Sequence, residues 1–499
     1  MEEQLYFSLE DFNTMSKSTL IENLDIFFTQ QGEDFLKAEM PVNDKTIQPF
    51  KILHGGANLA LAETVGGALS VMVTNPQEYS VKGMEINANH VRSVPHGNRV
   101  VATATFLHRG KNSHIVQIAI RDKEENLVSI RASPTLFNAW RIHMKPEKII
   151  RHCLEKNIAF ALWRYPGKQI QGAFSHEAIP VKKEKMPEER GFFMALFHPE
   201  KDIMGYFIPA TLAWAESLTN EALEKIKTHP ADEPACVHIT ARKEYFEAFN
   251  QMKTAINSGQ ATKVVLSRTK ETSLVSRKNA ADLFVKLQKS YPAAMVYIFN
   301  IPQRGSWLGA TPEMLLSKEG QAFETVALAG TRRAEEPATW GQKEIHEQAV
   351  VSAFIEQALH THQVHHFHRE GPETCQAGNL EHLKTTFRIP EDQMGEKYLK
   401  VAQHLHPTPA VCGIPRDKAR ALIGQTEKHR REFYSGFLGE INPGKQEVNL
   451  YVNLRCMQVF TDKAVLYAGG GLTRGSTAGE EWAETQAKCR TLLNVAENL

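Results

Sequence analysis

The sequence of 499 residues is poor in cysteine, lacks a membrane-length apolar run and carries almost no net charge. Its six cysteines never form a Cys-x-x-Cys pair, which argues against a zinc knuckle or a disulfide framework. With 58 basic and 57 acidic residues, the chain has no field to gather nucleic acid or anionic lipid. The opening MEEQLYFSLEDF lacks the basic and apolar regions of a signal peptide. We therefore expect a cytoplasmic protein without nucleic-acid or membrane partners.

The length exceeds one typical hydrophobic core and predicts two domains. Residues 9–32 have a helical pattern, and the segment HGGANLALAETVGGALSVMV predicts a helix that is buried on all sides. Alternating segments between residues 83 and 135 predict antiparallel strands, and residues 134–146 are interpreted as an exit linker. We predict an α+β domain over residues 1–142 and a larger domain of mixed strands and helices over residues 143–499.

One carboxylate, Glu63, stands inside the apolar helix. Burial of an unpaired carboxylate costs several kcal/mol or forces protonation, so Glu63 should be used or paired. Gln48 and His54 precede the helix, and Gly55 falls at its start, where free N–H groups and the helix dipole can polarise a carbonyl oxygen. Two interpretations stay open: a carboxylate beside an oxyanion site, or a Glu63 bond across a dimer contact with His54 as a helix cap.

The motifs QPFKILHGGANLALAETVGG and GMEINANHVRSV resemble the hotdog-fold acyl-CoA thioesterases, particularly those acting on 1,4-dihydroxy-2-naphthoyl-CoA, over residues 9–137. The resemblance implies an antiparallel sheet wrapped on one helix, acyl-CoA as ligand, and a site formed between subunits of a dimer or tetramer. It implies that Glu63 attacks the thioester or activates water. Gln48 and His54 would orient the water and assist the leaving thiol, with Gly55 as backbone donor. CoA phosphates would meet side chains such as His90, Arg92 or His108.

A lysine and several glutamates mark a second candidate site. Lys263 in ATKVVLSRTKE lies either at an exposed strand edge or in a desolvated position where a lowered pKa makes it a base. Glu481, Glu484 and Lys488 share one helix face, although Glu484 with Lys488 is also a common solvated pair. The remaining candidates come from five separate segments: Glu313, Gly330 with Thr331, Glu347 on a helix, Arg455 on a strand, and Gly471 in YAGGGL.

Together with HPTPAVCGIPRDKA and REFYSGFLG, these segments resemble the chorismate-utilising synthases over residues 236–495. This family includes isochorismate, salicylate, anthranilate and aminodeoxychorismate synthases. The resemblance implies a large α/β sandwich around a deep site that binds chorismate with one Mg²⁺ ion. The implied metal ligands are Glu347 and Glu484, with Glu481 acting through water. The implied substrate-binding groups are Arg455, Lys488, the backbone of Gly330 and Thr331, and the close backbone approach at Gly471.

The resemblance also implies a reaction. Family members that add water to chorismate carry a lysine at the position of Lys263, whereas those that add ammonia lack it. Water activated by Lys263 would attack ring carbon 2 while Glu313 protonates the hydroxyl leaving carbon 4, from the opposite ring face. Salicylate synthases share both residues and then eliminate pyruvate, so isochorismate and salicylate both stay open as products.

The two resemblances together predict a bifunctional enzyme of menaquinone biosynthesis, because isochorismate formation and dihydroxynaphthoyl-CoA hydrolysis belong to that route. The alternative for the N-terminal part is a non-catalytic oligomerisation or CoA-sensing module. The sequence departs from the synthase pattern at residues 476–479, where STAG replaces Ser-Asp-Pro-Glu, and at Gln348, where histidine is common. A histidine-rich run over residues 360–368 lacks a coherent zinc spacing and is interpreted as a solvated helix end.

Overall fold

The computed structural model divides the chain into an N-terminal unit, Met1–Met144, and a C-terminal unit, Lys145–Leu499. The domain boundary predicted at residue 142 falls in 142–144, outside the described residues. The structure describes residues 5–76, 79–110, 113–130, 135–141, 145–182, 187–214, 218–230, 235–333, 339–377 and 380–499.

The N-terminal unit is an antiparallel sheet packed on one long helix, which confirms the predicted hotdog fold. The strand order is β1-β2-β5-β6-β7-β4, and the β3-β8 pair joins through β6. The elements are α1 (Leu9–Met15), α2 (Leu20–Asn23), β1 (Phe27–Gln31), β2 (Phe35–Pro41), α3 (Gly55–Met72), β3 (Tyr79–Glu85), β4 (Asn89–His90), β5 (Arg99–Arg109), β6 (Ser113–Asp122), β7 (Leu127–Ile130) and β8 (Thr135–Arg141).

Two predicted boundaries in this unit are wrong. The helical pattern of residues 9–32 ends early, because Asp25 takes a positive φ of 55° and the following β1 places Phe28 against Phe12. The predicted exit linker contains β8, which pairs antiparallel with β3. The segment TLFNAWR contains threonine, phenylalanine and tryptophan, which favour strands, and this preference outweighs the prolines on either side of it.

The helix α3 is buried on one face only, so the prediction of burial on all sides is wrong for a single chain. Leu61, Val65 and Leu69 are fully buried against the sheet. Glu63 is exposed, and Leu59 is only half-buried. The sheet wraps around one side of the helix, and the apolar residues of the other side keep part of their surface open.

The C-terminal unit contains two nine-stranded antiparallel sheets, which confirms the predicted α/β sandwich. The first sheet has the order β14-β10-β9-β16-β17-β25-β26-β15-β22 and the second β11-β13-β12-β23-β24-β18-β19-β21-β20. The strands are β9 (Ala159–Arg164), β10 (Gln171–Ser175), β11 (Ile179–Lys182), β12 (Gly191–Glu200), β13 (Ile203–Pro209), β14 (Leu212–Ala213), β15 (Lys263–Thr272), β16 (Met295–Ile301), β17 (Gly305–Thr311), β18 (Met314–Glu319), β19 (Ala322–Arg333), β20 (His368–Ala377), β21 (Leu380–Pro390), β22 (Gly413–Ile414), β23 (Phe437–Asn442), β24 (Glu447–Val452), β25 (Cys456–Val459) and β26 (Ala464–Leu472).

Helices cover the outer faces of both sheets. Trp163 and Trp307 from the first sheet share a core with Phe192 from the second, so the sheets pack face to face. The helices α6, α11 and α12 pack on the first sheet, and α8 and α10 pack on the second. The helices are α4 (Pro146–Glu155), α5 (Asn220–Glu224), α6 (Arg242–Asn257), α7 (Ala280–Ser290), α8 (Gln342–Thr361), α9 (Glu391–Met394), α10 (Tyr398–Leu405), α11 (Arg416–Thr426) and α12 (Ala478–Ala496).

Candidate active site

Lys263 is the first residue of β15, between the short strand β22 and β26. A Cβ added to Gly471 would lie 2.8 Å from the Cε of Lys263 and 3.5 Å from its Nζ. The lysine side chain therefore lies directly on the Gly471 backbone. Burial lowers the pKa of Lys263, while the negative charge of Glu347 opposes the shift. Of the two environments that the sequence left open, the structure has the desolvated one.

Glu313 lies in the loop between β17 and β18, where its backbone oxygen accepts a hydrogen bond from Val452 N at 2.8 Å. Burial raises the pKa of Glu313 to about 7, and the positive charges of Lys263, Lys488 and Arg455 act in the opposite direction. A carboxyl group with this pKa is substantially protonated at neutral pH. The structure thus brings a lysine with a lowered pKa and a carboxyl group with a raised pKa into the same electrostatic field.

The helix α12 presents two carboxylates and a lysine to the glycines of β26. A Cβ on Gly470 would collide with Oε2 of the buried Glu481 and lie 3.9 Å from Oε1 of Glu484. Lys488 Nζ lies 2.6 Å from Glu484 Oε1 and donates a hydrogen bond to the Gly469 oxygen at 2.8 Å. The spacing of these residues correctly predicts one shared helix face, and the three consecutive glycines of β26 let that face approach the strand.

Glu347 lies half-buried on α8, and its charge acts on Lys263. Among the described residues, no three His, Cys, Asp or Glu side chains are grouped closely enough to hold a metal ion together. This finding includes the histidine-rich run over residues 360–368. The run begins at the end of α8, which ends at Thr361, and reaches the start of β20 at His368. Glu481 and Glu484 converge above Gly470 as a pair of hard oxygen donors.

Arg455 is not on a strand, as the sequence predicted, but in the turn between β24 and β25. It takes a left-handed φ of 49°, an uncommon conformation for a residue with a side chain, and its backbone oxygen accepts a hydrogen bond from Ala310 N at 3.1 Å. Burial lowers the pKa of Arg455, and the charge of Glu484 opposes this shift. The turn therefore brings the half-buried Arg455 guanidinium into the field of the Glu484 carboxylate on α12.

Gly330 and Thr331 form a bulge in β19, where Gly330 has a positive φ of 69° and Thr331 pairs with His382 of β21. His382 Nδ1 lies 3.2 Å from the Gly330 oxygen. Burial lowers the pKa of His382, and Arg455 and Lys488 act in the same direction. Sequence reasoning missed His382, because only the register between β19 and β21 reveals its place beside Gly330.

In the N-terminal unit, the start of α3 is surrounded by polar groups. His54 is the cap of the helix, and its Nδ1 accepts a hydrogen bond from Gly56 N at 2.9 Å. His90 lies against Gly55, since a Cβ added to Gly55 would be 3.2 Å from His90 Nε2. The other ring nitrogen of His90, Nδ1, lies 3.1 Å from Asn58 Nδ2. Gln48 is half-buried in the preceding loop, where its backbone N–H donates to the Ile52 oxygen.

Glu63 lies eight residues beyond Gly55 on the same helix, which corresponds to about 12 Å along the axis. The side chain is exposed, contrary to the burial expected from its apolar neighbours. Within one chain, the carboxylate and the helix-start donor are therefore too far apart to act on one carbonyl group.

Comparison with known proteins identifies both units. Residues 191–497, more than half of the chain, match the chorismate binding enzyme family. The chain belongs to this family of chorismate-binding enzymes. Residues 50–129 match the thioesterase superfamily. The N-terminal unit is 42% identical over 120 residues to the 1,4-dihydroxy-2-naphthoyl-CoA hydrolase of Escherichia coli, which covers 24% of this chain and 87% of the relative. This unit belongs to the thioesterase superfamily.

Two further similarities concern the chorismate-binding unit. It is 30% identical over 248 residues to the isochorismate synthase EntC of Escherichia coli, covering 47% of this chain and 62% of the relative's length. The menaquinone-specific isochorismate synthase of Escherichia coli shares the fold, with a TM-score of 0.55 at 19% identity, over 70% of this chain and 91% of that chain. Among the helices described in this chorismate-binding enzyme, none is long and apolar enough to cross a membrane.

Proposed function

We propose that the C-terminal unit converts chorismate to isochorismate with Mg²⁺. The observation that carries this proposal is the pair of opposite pKa shifts: burial lowers the pKa of Lys263 and raises that of Glu313 to about 7. These shifts favour the neutral form of the amine and the protonated form of the carboxyl group, which are the base and the acid that exchange of a hydroxyl group requires. The similarity to isochorismate synthase EntC supports the same reaction.

In the proposed reaction, Lys263 removes a proton from the water that attacks ring carbon 2, and Glu313 donates a proton to the hydroxyl group that leaves carbon 4. The ring double bonds shift between these carbons, so the product is an isomer of the substrate. Arg455 and Lys488 bind carboxylate charge of the substrate, and the backbone at Gly330 and Thr331 closes over the ring. Burial of Lys263 disfavours the charged form of its amine, which favours its role as a base.

The carboxylates fit a magnesium ion. Glu481 and Glu484 supply hard oxygen donors in the space that Gly470 leaves open, and Glu347 acts on the same region. Mg²⁺ is usually held by one or two carboxylates with retained waters and substrate oxygens, so a full cage of protein ligands is not required. We assign Glu347 and Glu484 as ligands and Glu481 as a partner through water. The ion would supply positive charge to a substrate carboxylate.

The test incubates the purified chain with chorismate and Mg²⁺, resolves the products, and repeats the assay with Lys263→Ala. Isochorismate formation that falls by about 10³-fold in the variant supports the proposed base. Lys270→Ala, on the same strand outside the site, is the matched control and should keep full activity. Salicylate with pyruvate would make the unit a salicylate synthase, and Lys263-independent turnover would overturn the assignment of Lys263.

For the N-terminal unit, we propose hydrolysis of an aryl-CoA thioester, with 1,4-dihydroxy-2-naphthoyl-CoA as the substrate. The proposal is supported by the 42% identity to the hydrolase of that compound. Because Gly55 and Glu63 lie about 12 Å apart along one helix, we assign each site to two copies of the chain, one supplying Glu63 and the other the helix start with His54 and Gln48. The open apolar face of α3 supports a homodimer or a larger oligomer.

Release of free thiol from the aryl-CoA substrate tests this assignment. Glu63→Gln should lower the rate by about 10³-fold while the oligomer, measured by light scattering, is unchanged. Glu39→Gln, a strand carboxylate of the same unit, is the control. A wild-type chain that releases no thiol from any aryl-CoA would favour a non-catalytic oligomerisation or CoA-sensing module. Activity of both units would support a bifunctional enzyme of menaquinone biosynthesis.

A further inference from the structure

Arg268 is a buried guanidinium beneath the helix that carries the α12 carboxylates. It is 2% exposed, and none of the carboxylates in the described part of the chain lies within 4.0 Å of it. One of its Nη atoms is buried without a hydrogen-bond partner. Arginine is seldom buried without a paired acid, because loss of hydration is costly for the charged group. The free-energy cost of burying Arg268 therefore suggests that its contacts serve the function of the site.

The side chains that Arg268 hydrogen-bonds or stacks on in the described part of the chain both belong to α12. Its Nε donates a hydrogen bond to Thr485 Oγ1 at 2.7 Å, and its guanidinium carbon lies 4.1 Å from the ring centre of Trp482. The Thr485 hydroxyl in turn donates to the Trp482 oxygen at 2.8 Å, which fixes its direction as an acceptor for Arg268. Trp482 is also held edge-on by the buried ring of Tyr245, 5.3 Å away between centres.

These contacts alternate with the candidate metal ligands along the helix. At about 100° per residue, Trp482, Thr485 and Cys489 form one stripe, and Glu481, Glu484 and Lys488 form the adjacent stripe. In the sheet, Arg268 is two residues from Leu266, which pairs with Gly470, so the arginine and the open space at Gly470 lie on the same face of the sheet. A rotation of α12 that broke the contacts of Arg268 would move both carboxylates away from Gly470.

We propose that Arg268 is a positioning residue for magnesium binding, because its hydrogen bond to Thr485 and its stacking on Trp482 hold the rotation of α12 that presents Glu481 and Glu484. This inference rests on the proposed Mg²⁺ site. We assign Arg268 no direct contact with the ion or the substrate. Lysine cannot take its place, since it has neither the planar face that stacks on Trp482 nor a fixed Nε–H.

Charge and position predict opposite effects on metal affinity. The positive charge of Arg268 repels Mg²⁺, so a purely electrostatic effect of Arg268→Met would be tighter binding. If Arg268 orients the carboxylates, the same substitution weakens binding. Thr485→Val removes the hydrogen bond without changing any charge, and the positioning role predicts weaker binding in this variant as well.

Calorimetric titration with Mg²⁺ measures the effect without turnover. The protein is saturated with chorismate and carries Lys263→Ala in every variant. We expect Arg268→Met, Arg268→Lys and Thr485→Val each to weaken Mg²⁺ binding by about 10-fold. Combining Arg268→Met with Thr485→Val should weaken it little further, because both changes break one contact. Arg490→Met, on the same helix but paired with Glu497, should change it less than about 2-fold.

Unchanged or tighter binding in Thr485→Val and Arg268→Met overturns the inference. If Arg268→Met does not fold, as judged by circular dichroism, Thr485→Val decides alone. A wild-type chain that binds Mg²⁺ but does not convert chorismate overturns the proposed function and leaves this inference standing. A wild-type chain that binds no Mg²⁺, with or without chorismate, overturns both.

Discussion

The two units of this chain assemble their candidate sites in different ways. In the chorismate-binding unit, charges from the loop before β18, α8 and α12 all act on Lys263 of β15 within one chain. In the thioesterase unit, Glu63 stands exposed on α3, about 12 Å along the helix from the Gly55 donor. The first site draws on elements that are far apart in sequence, and the second is proposed to be completed by another copy of the chain. Four experiments test this difference.

The largest expected effect is complementation between inactive copies. Glu63→Gln and His54→Ala chains, each nearly inactive in thioester hydrolysis, should regain about a quarter of the wild-type rate when mixed and refolded together. Half of the dimers are then mixed, and one of the two sites in each mixed dimer carries neither change. Lys263→Ala mixed with Glu313→Gln should regain no chorismate turnover. Recovery in the second mixture, or none in the first, would contradict the contrast.

A smaller effect is expected from one methyl group in the chorismate site. In Gly471→Ala, the new Cβ lies 2.8 Å from the Lys263 Cε and must displace the lysine side chain. We expect kcat/KM for chorismate to fall about 10²-fold, since small displacements of a catalytic group have effects of this size. Thioester hydrolysis should be unchanged. Gly475→Ala, where an added Cβ meets nothing within 4 Å, is the control.

The pH profile should distinguish the units. Because burial raises the pKa of Glu313 to about 7, its acid form disappears as the pH rises above 7. We expect kcat/KM for chorismate to fall toward tenfold per pH unit above about pH 8. Thioester hydrolysis, measured in the same buffers, is the comparison for the other unit. A flat chorismate profile from pH 6 to 9 would remove Glu313 from the role of acid.

The smallest expected effect is on stability. The folded pKa of Glu313 lies above its ordinary value, so the stability linked to its protonated form is present at low pH and lost as the pH rises through about 7. Glu313→Gln removes this loss. The variant should unfold a few degrees above the wild type at pH 8, on the order of 1 kcal/mol, with a smaller difference at pH 5. Equal melting temperatures at pH 8 would contradict the burial of an ionised Glu313.

Local spacing was sufficient to predict the parts of the site that lie on one element. The shared face of Glu481, Glu484 and Lys488 follows from helix periodicity alone. Lys263 was recognised as unusual within its strand, but the sequence left its environment open. Its contact with Gly471 depends on the register of β15 and β26, which are about 200 residues apart in the chain.

The predictions failed where local pattern and tertiary structure disagree. Arg455 reads as a strand residue, but the chain turns there through a left-handed φ that no propensity indicates. Glu63 reads as buried because its helix is apolar on all sides, yet in one chain that side is open. Apolar residues that cover an oligomer contact look the same in sequence as residues of a core.

The strand β26 has a consequence for how this protein tolerates mutation. Three consecutive glycines leave room for three different groups: Gly469 for the Tyr434 hydroxyl, Gly470 for the Glu481 carboxylate and Gly471 for Lys263. A saturation screen should find this stretch as intolerant as the catalytic residues, although none of the three glycines has a side chain to lose. We therefore expect substitutions that alter the specificity of the chorismate site to occur at other positions, because any side chain at these three glycines would displace one of the groups that they accommodate.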